Sequence, residues 1–510
     1  MAAPSCTAPN RSDRPWERED QSVAAIPHWC SYVAGKWVDG DDTFTVENPA
    51  DESPVGDVSA LPAAEVERAI TEARRSFDSG VWADMPAWER ADMLHTFLDH
   101  IEDTREALVS TIVAEAGQPV FFAESTQFGA SMMLARNTID LYLSMRHEES
   151  NPVPVDELVR GGATLSIRRH EPVGVVSAIT PYNAAIIMGV QKIIPALMAG
   201  NSVVLRPSPL TPISSLMFGA AAEVAGLPQG VLSVVVEPGA AGAELLTTHP
   251  AVDMVSFTGS TAVGRSILAQ AAPTVKRVAL ELGGKSAQIY LPDAVDRAAA
   301  GAMAVVAATA GQACVAATRM LVPQDRKDEV VEAVSRAYAE IKVGPPTDRS
   351  ALMGPVISAG QRERCERYVA LAEENGGRVA FGGKRPAGLD RGYFFEPTVL
   401  DLPDNANPAA QEEIFGPVIG VIGYRDVDDA VRMANDSDYG LSGQVYGGDV
   451  AAATAVARRL RTGAVNVNAA VFSAYAPSGG YKQSGLGRER GPDGIRAFQE
   501  VKHLAIGNLH

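Results

Sequence analysis

Between residues 173 and 260, four short apolar runs, "VGVVSAIT", "SVVLRPS", "LSVVVEPG" and "MVSFTGS", alternate with longer helical segments, "AAIIMGVQKIIPALMAG" and "PISSLMFGAAAEVAG" among them. Strands apolar at consecutive residues need cover on both faces, and strands joined through helices run parallel because each helix returns the chain to its starting edge. This pattern predicts a parallel sheet with helices on both sides. Residues 285–480 repeat the style in a second block, with helical runs near 326–341, 358–374 and 427–434. Upstream, Val66, Ala69, Ile70, Ala73 and Phe77 have the spacing of an amphipathic helix, and helical periods continue to residue 146. Prolines and a Gly-Gly pair in "EESNPVPVDELVRGGATLSIRRHEPVGVV" end them; Thr164, Ser166 and Arg168 then alternate with Leu165 and Ile167. That alternation reads as a strand pair outside the main layers. The expected fold class is α/β: two parallel-sheet α/β domains plus a small β element.

With 510 residues, 46% hydrophobic and 21% charged, the chain has the usage of a folded, water-soluble protein. The 44 basic and 62 acidic residues give a formal charge of −18, which repels phosphate backbones and anionic membranes. Neither nucleic acid nor a membrane is an expected partner. Cys6, Cys30, Cys314 and Cys365 are far apart and form no C-x-x-C pair, so neither a disulfide framework nor a metal site is expected, and a reducing cytoplasm fits. Residues 1–28, rich in Pro, Ser and charge, lack the apolar core of a signal peptide and read as a mobile tail. The uncharged stretch 298–318 is long enough to span a bilayer, but it is Ala- and Gly-rich without an aromatic belt, and it reads as a buried helix delivering Cys314 to an interior site.

Within "GQACVAATR", Cys314 is either a small buried hydrophobe or a nucleophile. Its neighbours Gly311, Ala313 and Val315 leave room for a substrate carbon to approach the sulfur. A thiol with an ordinary pKa of about 8.5 needs a base or a positive dipole nearby to react at neutral pH. Glu281, at the end of the apolar strand in "RVALELGGKSAQIYL", either reaches solvent or faces a cleft; in a cleft, burial raises its pKa toward that of a general base for water. "SFTGSTAVGRSIL" puts Gly259, Ser260 and Gly264 at a strand-to-helix junction, either a tight turn or an anion site built on a helix N-terminus. Asn183 in "ITPYNAAI" either caps the next helix or donates to an oxyanion, and "QEEIFGPV" places Glu413 and Phe415 beside a Gly-Pro turn.

Taken together and in this order, "NPADE", "HEPVGVVSAITPYN", "GNSVVLRPS", "VSFTGSTAVGR", "LELGGKS", "GQACVAATR", "QEEIFGPV", "YGLSGQVY" and "PSGGYKQSGLGRERG" resemble the aldehyde dehydrogenase superfamily over residues 37–502. The resemblance implies a Rossmann-like NAD(P)-binding domain (29–150 and 173–283), a catalytic domain (284–482) and a bridging or oligomerisation element (151–172 and 483–510), assembled as a homodimer or homotetramer. It implies an aldehyde substrate oxidised to a carboxylic acid through a thiohemiacetal and a thioester on Cys314. Asn183 and the backbone N–H of Cys314 would hold the oxyanion, Glu281 would activate water, and Lys192 and Glu489 would relay protons. The cofactor residues implied are Thr180, Tyr182, Arg206, Ser208, Gly259, Ser260, Gly264, Leu282, Glu413 and Phe415.

Two departures from the family pattern carry expectations. "RPSP" gives Arg206 and Pro209 where many members have Lys and Glu. In those members the glutamate grips the adenosine ribose and repels a 2′-phosphate, so its absence weakens the preference for NAD over NADP, and Arg206 is available to pair with such a phosphate; NAD is still favoured, with NADP as the alternative. In the substrate tunnel, Ala184, Gln191 and Ser478 replace residues often aromatic, while Met188, Phe472, Ala313 and Val315 complete the lining, so a wider and more polar tunnel is expected. Glu281 argues against a coenzyme-A-acylating relative, the presence of both Cys314 and Glu281 argues against a non-catalytic homologue, and no histidine motif suggests a cysteine hydrolase.

Overall fold

The computed structural model describes residues 26–152, 165–306, 309–469 and 473–506. The predicted alternation is present as β1 (Val175–Ile179), α1 (Ala185–Met198), β2 (Ser202–Arg206), α2 (Ile213–Val224), β3 (Leu232–Val234), α3 (Ala241–Thr248), β4 (Met254–Thr258), α4 (Thr261–Ala271) and β5 (Arg277–Glu281). The spatial order is β5-β4-β1-β2-β3, all parallel; Val176, for example, pairs with Val203 on one side and Met254 on the other. Antiparallel strands extend both edges: Gly485–Leu486 beside β5, and the hairpin Ser31–Val33/Lys36–Val38 beside β3. Every residue of β1 and β4 is buried. Each large aliphatic side chain so covered stabilises the fold by about 1.5–3 kcal/mol. One face is covered by the helix Ala63–Asp78 through Val66, Ala69, Ile70 and Ala73. The other face packs on α1, α2 and the helices Ala87–Asp103, Arg105–Ala116 and Ser131–Ser144.

Strand order reverses between β1 and β4, because the chain proceeds from β1 to β2 and β3 in one direction and places β4 and β5 in the other. Such a reversal opens a crevice beyond the carboxyl ends of the two central strands. The second block is a seven-stranded sheet whose spatial order is Arg378–Phe381, Thr398–Asp401, Val418–Tyr424, Arg319–Pro323, Ala287–Tyr290, Ser442–Tyr446 and Ala464–Val467. All its pairings are parallel except the first. The helices read near 326, 358 and 427 are Lys327–Ala339, Ala359–Glu374 and Val427–Asn435, the last two begun by Ser358 and Asp426 side chains that accept backbone N–H bonds.

Leu165–Pro172 pairs antiparallel with Glu148–Ser150 and with Gln499–Ile506, a three-stranded sheet apart from the two larger ones. The rest of the expected strand pair, 153–164, lies outside the described residues, as do residues 1–25 of the expected tail. Residue 28, also assigned to that tail, instead opens the strand His28–Trp29. The stretch before residue 63, given no strands by periodicity, holds five short ones; runs of two to seven residues are too brief to set a period.

Two expectations about cysteine context are corrected. The helix expected to carry Cys314 spans only Ala298–Val306, and Cys314 sits on a turn beyond it, where Gly311 in a left-handed conformation (φ 71°) has already ended helical geometry. Cys314 and Cys365 are free, but Cys30 is disulfide-bonded, a pairing the wide spacing did not announce. The nearby grouping of His28, Cys30 and Asp39 therefore lacks a thiolate to offer a metal. No helix among the described residues is long and apolar enough to cross a membrane.

Candidate active site

The crevice at the strand-order reversal is a cavity of about 520 Å³, lined by the carboxyl ends of β1, β2, β4 and β5 and by two loops of the second block. Cys314 arrives on one of those loops, and backbone contacts fix its position. A Cβ on Gly284 would stand 2.3 Å from the Cys314 carbonyl oxygen, and one on Gly311 would stand 2.1 Å from the Gly416 carbonyl oxygen, so both glycines permit approaches no side chain allows. The sulfur is deep although the residue as a whole is partly exposed. Burial, followed by the charges of Glu413 and Glu281, pushes the thiol pKa up to about 12. Cys314 is therefore a thiol at neutral pH in the free protein.

Asn183 follows β1, in the loop that opens α1. Its Nδ2 donates to the Gln312 carbonyl at 2.7 Å through one of its two N–H groups, and the residue lines the cavity together with Cys314. Two buried glutamines secure its backbone: Gln118 Nε2 donates to the Asn183 carbonyl at 2.7 Å and Gln127 Nε2 at 3.1 Å. Gln127 reaches this point from a π-helical turn, Ala123–Ala130, and also donates to Gln118 Oε1 at 3.0 Å. Gln312 in turn accepts from the Tyr182 hydroxyl at 3.2 Å and from the Ile357 N–H at 3.0 Å.

Glu281 ends β5 and is only 7% exposed. Burial, and then the neighbouring Glu489 carboxylate, raise its pKa well above the ordinary range, while Lys192, Arg488 and Arg490 oppose the shift. Behind it, Lys192 Nζ is bonded to Glu489 Oε1 and lies 3.1 Å from Ser256 Oγ. Neither Lys192 nor Glu489 is the surface residue that its sequence alternative allowed: their side chains are 0% and 5% exposed. Lys192→Met leaves a buried carboxylate without its counter-charge and should cost about 3–5 kcal/mol, measured as a lower unfolding midpoint. Because Lys192 also holds the Glu281 pKa down, the acid limb of activity should move to higher pH in the same variant. An unaltered midpoint and limb would show that the pair matters to neither.

At the other end, Thr180, Arg206, Ser208, Gly259 and Ser260 line the cavity. Ser260 caps α4, its Oγ accepting from Val263 N at 3.3 Å, and leaves that helix N-terminus at the wall. The hydroxyls of Thr180 and Thr258 are buried at this wall without a protein partner, as donors awaiting a polar ligand would be. Leu282, Tyr182, Glu413 and Phe415 line the stretch between this end and Cys314. Glu413 Oε1 accepts from Gly284 N at 2.9 Å, and burial raises its pKa. Phe415 holds a left-handed φ of 60°, stands edge-on to Tyr182 at 6.0 Å, and has its carbonyl fixed by Gln361 Nε2 at 2.7 Å. Arg364 fixes the adjoining Ile414 carbonyl at 3.1 Å. One continuous cavity with a helix N-terminus, unsatisfied hydroxyls and a ring wall thus fits a dinucleotide lying with one end at the thiol.

Several expected members lie elsewhere. Gly264 does not touch the cavity; a Cβ there would stand 2.6 Å from Leu282 Cδ2, so its smallness lets α4 pack on β5. Gln191 is buried inside α1 and off the cavity wall, because the face of α1 that reaches it carries Met188. Ser478 is engaged in a two-way backbone bridge with Glu489. Ala184 and Met188 line the cavity, Ala313 and Val315 flank it on the thiol turn with Val315 half exposed, and Phe472 lies outside the described residues. Arg206 is not free for a phosphate: it is paired with Glu237 at 2.9 Å. Sequence reading missed Gln118, Gln127, Gln361, Arg364 and Glu237, polar residues on unremarkable stretches that reach the site only through long-range packing.

The profile of the aldehyde dehydrogenase family matches residues 37–504. Geranial dehydrogenase of Castellaniella defragrans is 39% identical over 485 residues, covering 94% of this chain and 99% of that protein. Among solved structures, an aldehyde dehydrogenase C variant of Pseudomonas syringae in complex with NAD+ and octanal superposes with a TM-score of 0.88 at 35% identity, covering 93% of this chain and 96% of that one. Betaine aldehyde dehydrogenase of Staphylococcus aureus in complex with NAD+ superposes with a TM-score of 0.89 at 35% identity, covering 93% and 94%.

Proposed function

This chain belongs to the aldehyde dehydrogenase family, and from that premise we propose that Cys314, Glu281 and Asn183 carry its chemistry. The protein is an NAD(P)-dependent oxidoreductase that converts an aldehyde to a carboxylic acid. The observation behind the residue roles is that thiol, carboxylate and amide line one cavity that continues to the end of β2 and the start of α4.

When bound, oxidised NAD supplies a positive charge that favours loss of the thiol proton and accepts the hydride. Cys314 Sγ releases its proton to solvent in the open cavity and attacks the carbonyl carbon, and the oxyanion takes the spare N–H of Asn183 and the backbone N–H of Cys314. Once the hydride has left, the thiohemiacetal has become a thioester. Glu281 then takes a proton from water, the hydroxide adds to the thioester, and the acid leaves as Sγ recovers a proton. Lys192 and Glu489, in contact behind Glu281, carry the surplus proton away. Glu413 would hold the nicotinamide ribose, Phe415 would pack beside the ring, and Ser260 would face the pyrophosphate. Asn183→Ala should lower kcat by about 10²–10³-fold, the usual worth of one oxyanion donor, with a much smaller change in KM. Equal loss in both constants would remove Asn183 from that role.

A small residue on the cavity wall, Ala184, and the resemblance to enzymes named for geranial or solved with octanal support an extended or bulky aldehyde as substrate. Initial rates of NAD reduction with geranial, octanal, betaine aldehyde and propanal test this. We expect geranial or octanal to give the highest kcat/KM; propanal leading the panel would overturn the substrate class, and no reduction with any of them would overturn the residue roles. The exposed apolar residues Leu165, Val501 and Ile506 on the three-stranded sheet support assembly as a homodimer or homotetramer. The two large sheets and the separate small one support a cofactor domain of 29–150 and 173–283, a catalytic domain of 284–482 and a bridging element of 151–172 and 483–510, except that Glu148–Ser150 pairs into the small sheet and Gly485–Leu486 into the cofactor sheet.

A further inference from the structure

The loop after β2 contains no acidic residue, yet a carboxylate stands against Arg206. It belongs to Glu237, two residues beyond the backbone bond from Val235 N to the Leu205 carbonyl that ends the β2–β3 pairing. Glu237 Oε1 accepts from Arg206 Nε at 3.0 Å and Nη2 at 2.9 Å, and Nη2 also donates to the Gly239 carbonyl at 2.9 Å. The same oxygen accepts from Ala243 N at 3.1 Å, in the first turn of α3. Both side chains are nearly enclosed, 12% and 7% exposed, and a Cβ on Gly242 would stand 3.2 Å from Glu237 Cδ, so the carboxylate has little room to turn away. Arg206 lines the cavity while Glu237 lies just behind it.

We infer that Glu237 is the residue that selects NAD over NADP. The inference rests on the reading of this cavity as the dinucleotide site. Arg206 alone would be a phosphate receptor, since a guanidinium pairs with a phosphate through two parallel hydrogen bonds. Paired with Glu237, it presents no net charge, and its Nε and Nη2 donors are committed. What remains, the N–H groups of Nη1, suits the neutral hydroxyls of a ribose. A 2′-phosphate carries nearly two negative charges at neutral pH and would meet a fixed carboxylate a few ångströms behind its only cationic neighbour. The discriminating carboxylate thus comes from the segment that follows the neighbouring strand β3 and acts by neutralising the arginine.

The test measures kcat/KM for NAD+ and NADP+ in wild type, Glu237→Gln and the double variant Arg206→Met/Glu237→Gln. Binding of 2′-AMP by isothermal titration gives a readout independent of turnover. Glu237→Gln should raise the NADP+/NAD+ ratio and the 2′-AMP affinity by about tenfold or more, the scale of one unpaired charge at short range in partly screened surroundings, and the double variant should lose that gain. An unchanged ratio in a wild type that prefers NAD+ would overturn the selector role alone. A wild type that prefers NADP+ would overturn the NAD reading itself. Should Glu237→Gln lose its cooperative melt, Arg206→Gln replaces it: the exposed carboxylate should then weaken 2′-AMP binding, and unaltered binding would again overturn the proposal.

Discussion

Replacing Cys314 by alanine should abolish turnover, with a fall in kcat on the order of 10⁴-fold or more, as expected when the atom that forms the covalent intermediate is removed. Binding should survive, because the residues proposed to face the dinucleotide belong to other elements: Thr180 after β1, Arg206 on β2 and Ser260 before α4. The variant should therefore retain the wild-type affinity for NAD+ and its unfolding midpoint while producing no burst of reduced cofactor. Removing one sulfur from a turn leaves only a small void, unlike the loss of a large core side chain. A variant that still turned over at a tenth of the wild-type rate would show that the thiol is not the nucleophile. Titration of the thiol supplies a second check. A pKa near 12 in the free protein predicts slow alkylation of Cys314 at neutral pH. The reaction should accelerate when NAD+ is added, because positive charge in the cleft opposes the two carboxylates that hold the proton on.

Glu281→Gln should separate the two halves of the reaction. Hydride transfer precedes the need for water, and the variant removes one of the carboxylates that raise the Cys314 pKa, so the pre-steady-state burst should persist at nearly full amplitude. Steady-state turnover should fall by about 10²–10⁴-fold, the usual contribution of a positioned general base. The pH dependence has a definite sign. Glu281 accepts a proton only when ionised, and burial together with Glu489 raises its pKa. Wild-type steady-state activity should therefore climb with pH through a value above the ordinary carboxylate range of about 4 and be lost below it. In Glu281→Gln that limb should vanish. A steady state unchanged by the substitution, or a burst lost with it, would assign the carboxylate to a different step.

The parts of this molecule legible in its sequence are those written in local pattern. Consecutive apolar residues at Val175–Ile179 and Met254–Thr258 announced fully covered strands, and they are buried throughout. The thiol, the carboxylate at the end of β5 and the amide after β1 sit in stretches whose combination resembles one family, and they line one cavity. What escaped depends on contacts across long separations. Gln118 and Gln127 meet the Asn183 carbonyl from 65 and 56 residues away, the first from a short break between helices and the second from a helical stretch, and neither carries a local signal of that contact. Glu237 reaches Arg206 across 31 residues, and that pairing changes the meaning of the arginine. Lys192, which a helical wheel would equally well place at the surface, is buried because Glu489 arrives 297 residues later to receive it. Gln191, expected at the tunnel, is buried within α1 and not on the wall of this cavity, since the rotation of α1 relative to the cavity is set by packing and not by the helix's own spacing.

The contact between Gly311 and the Gly416 carbonyl has a practical implication for anyone transplanting parts between relatives. The turn that presents the sulfur and the segment Glu413–Pro417 touch main chain to main chain at Gly416 and Pro417, with no side chain between them to absorb a shift. A graft that exchanges only one of them imports a backbone path shaped for a different neighbour, and the mismatch is transmitted directly to the reacting atom. Recombination across this part of the fold should keep the two segments from the same parent.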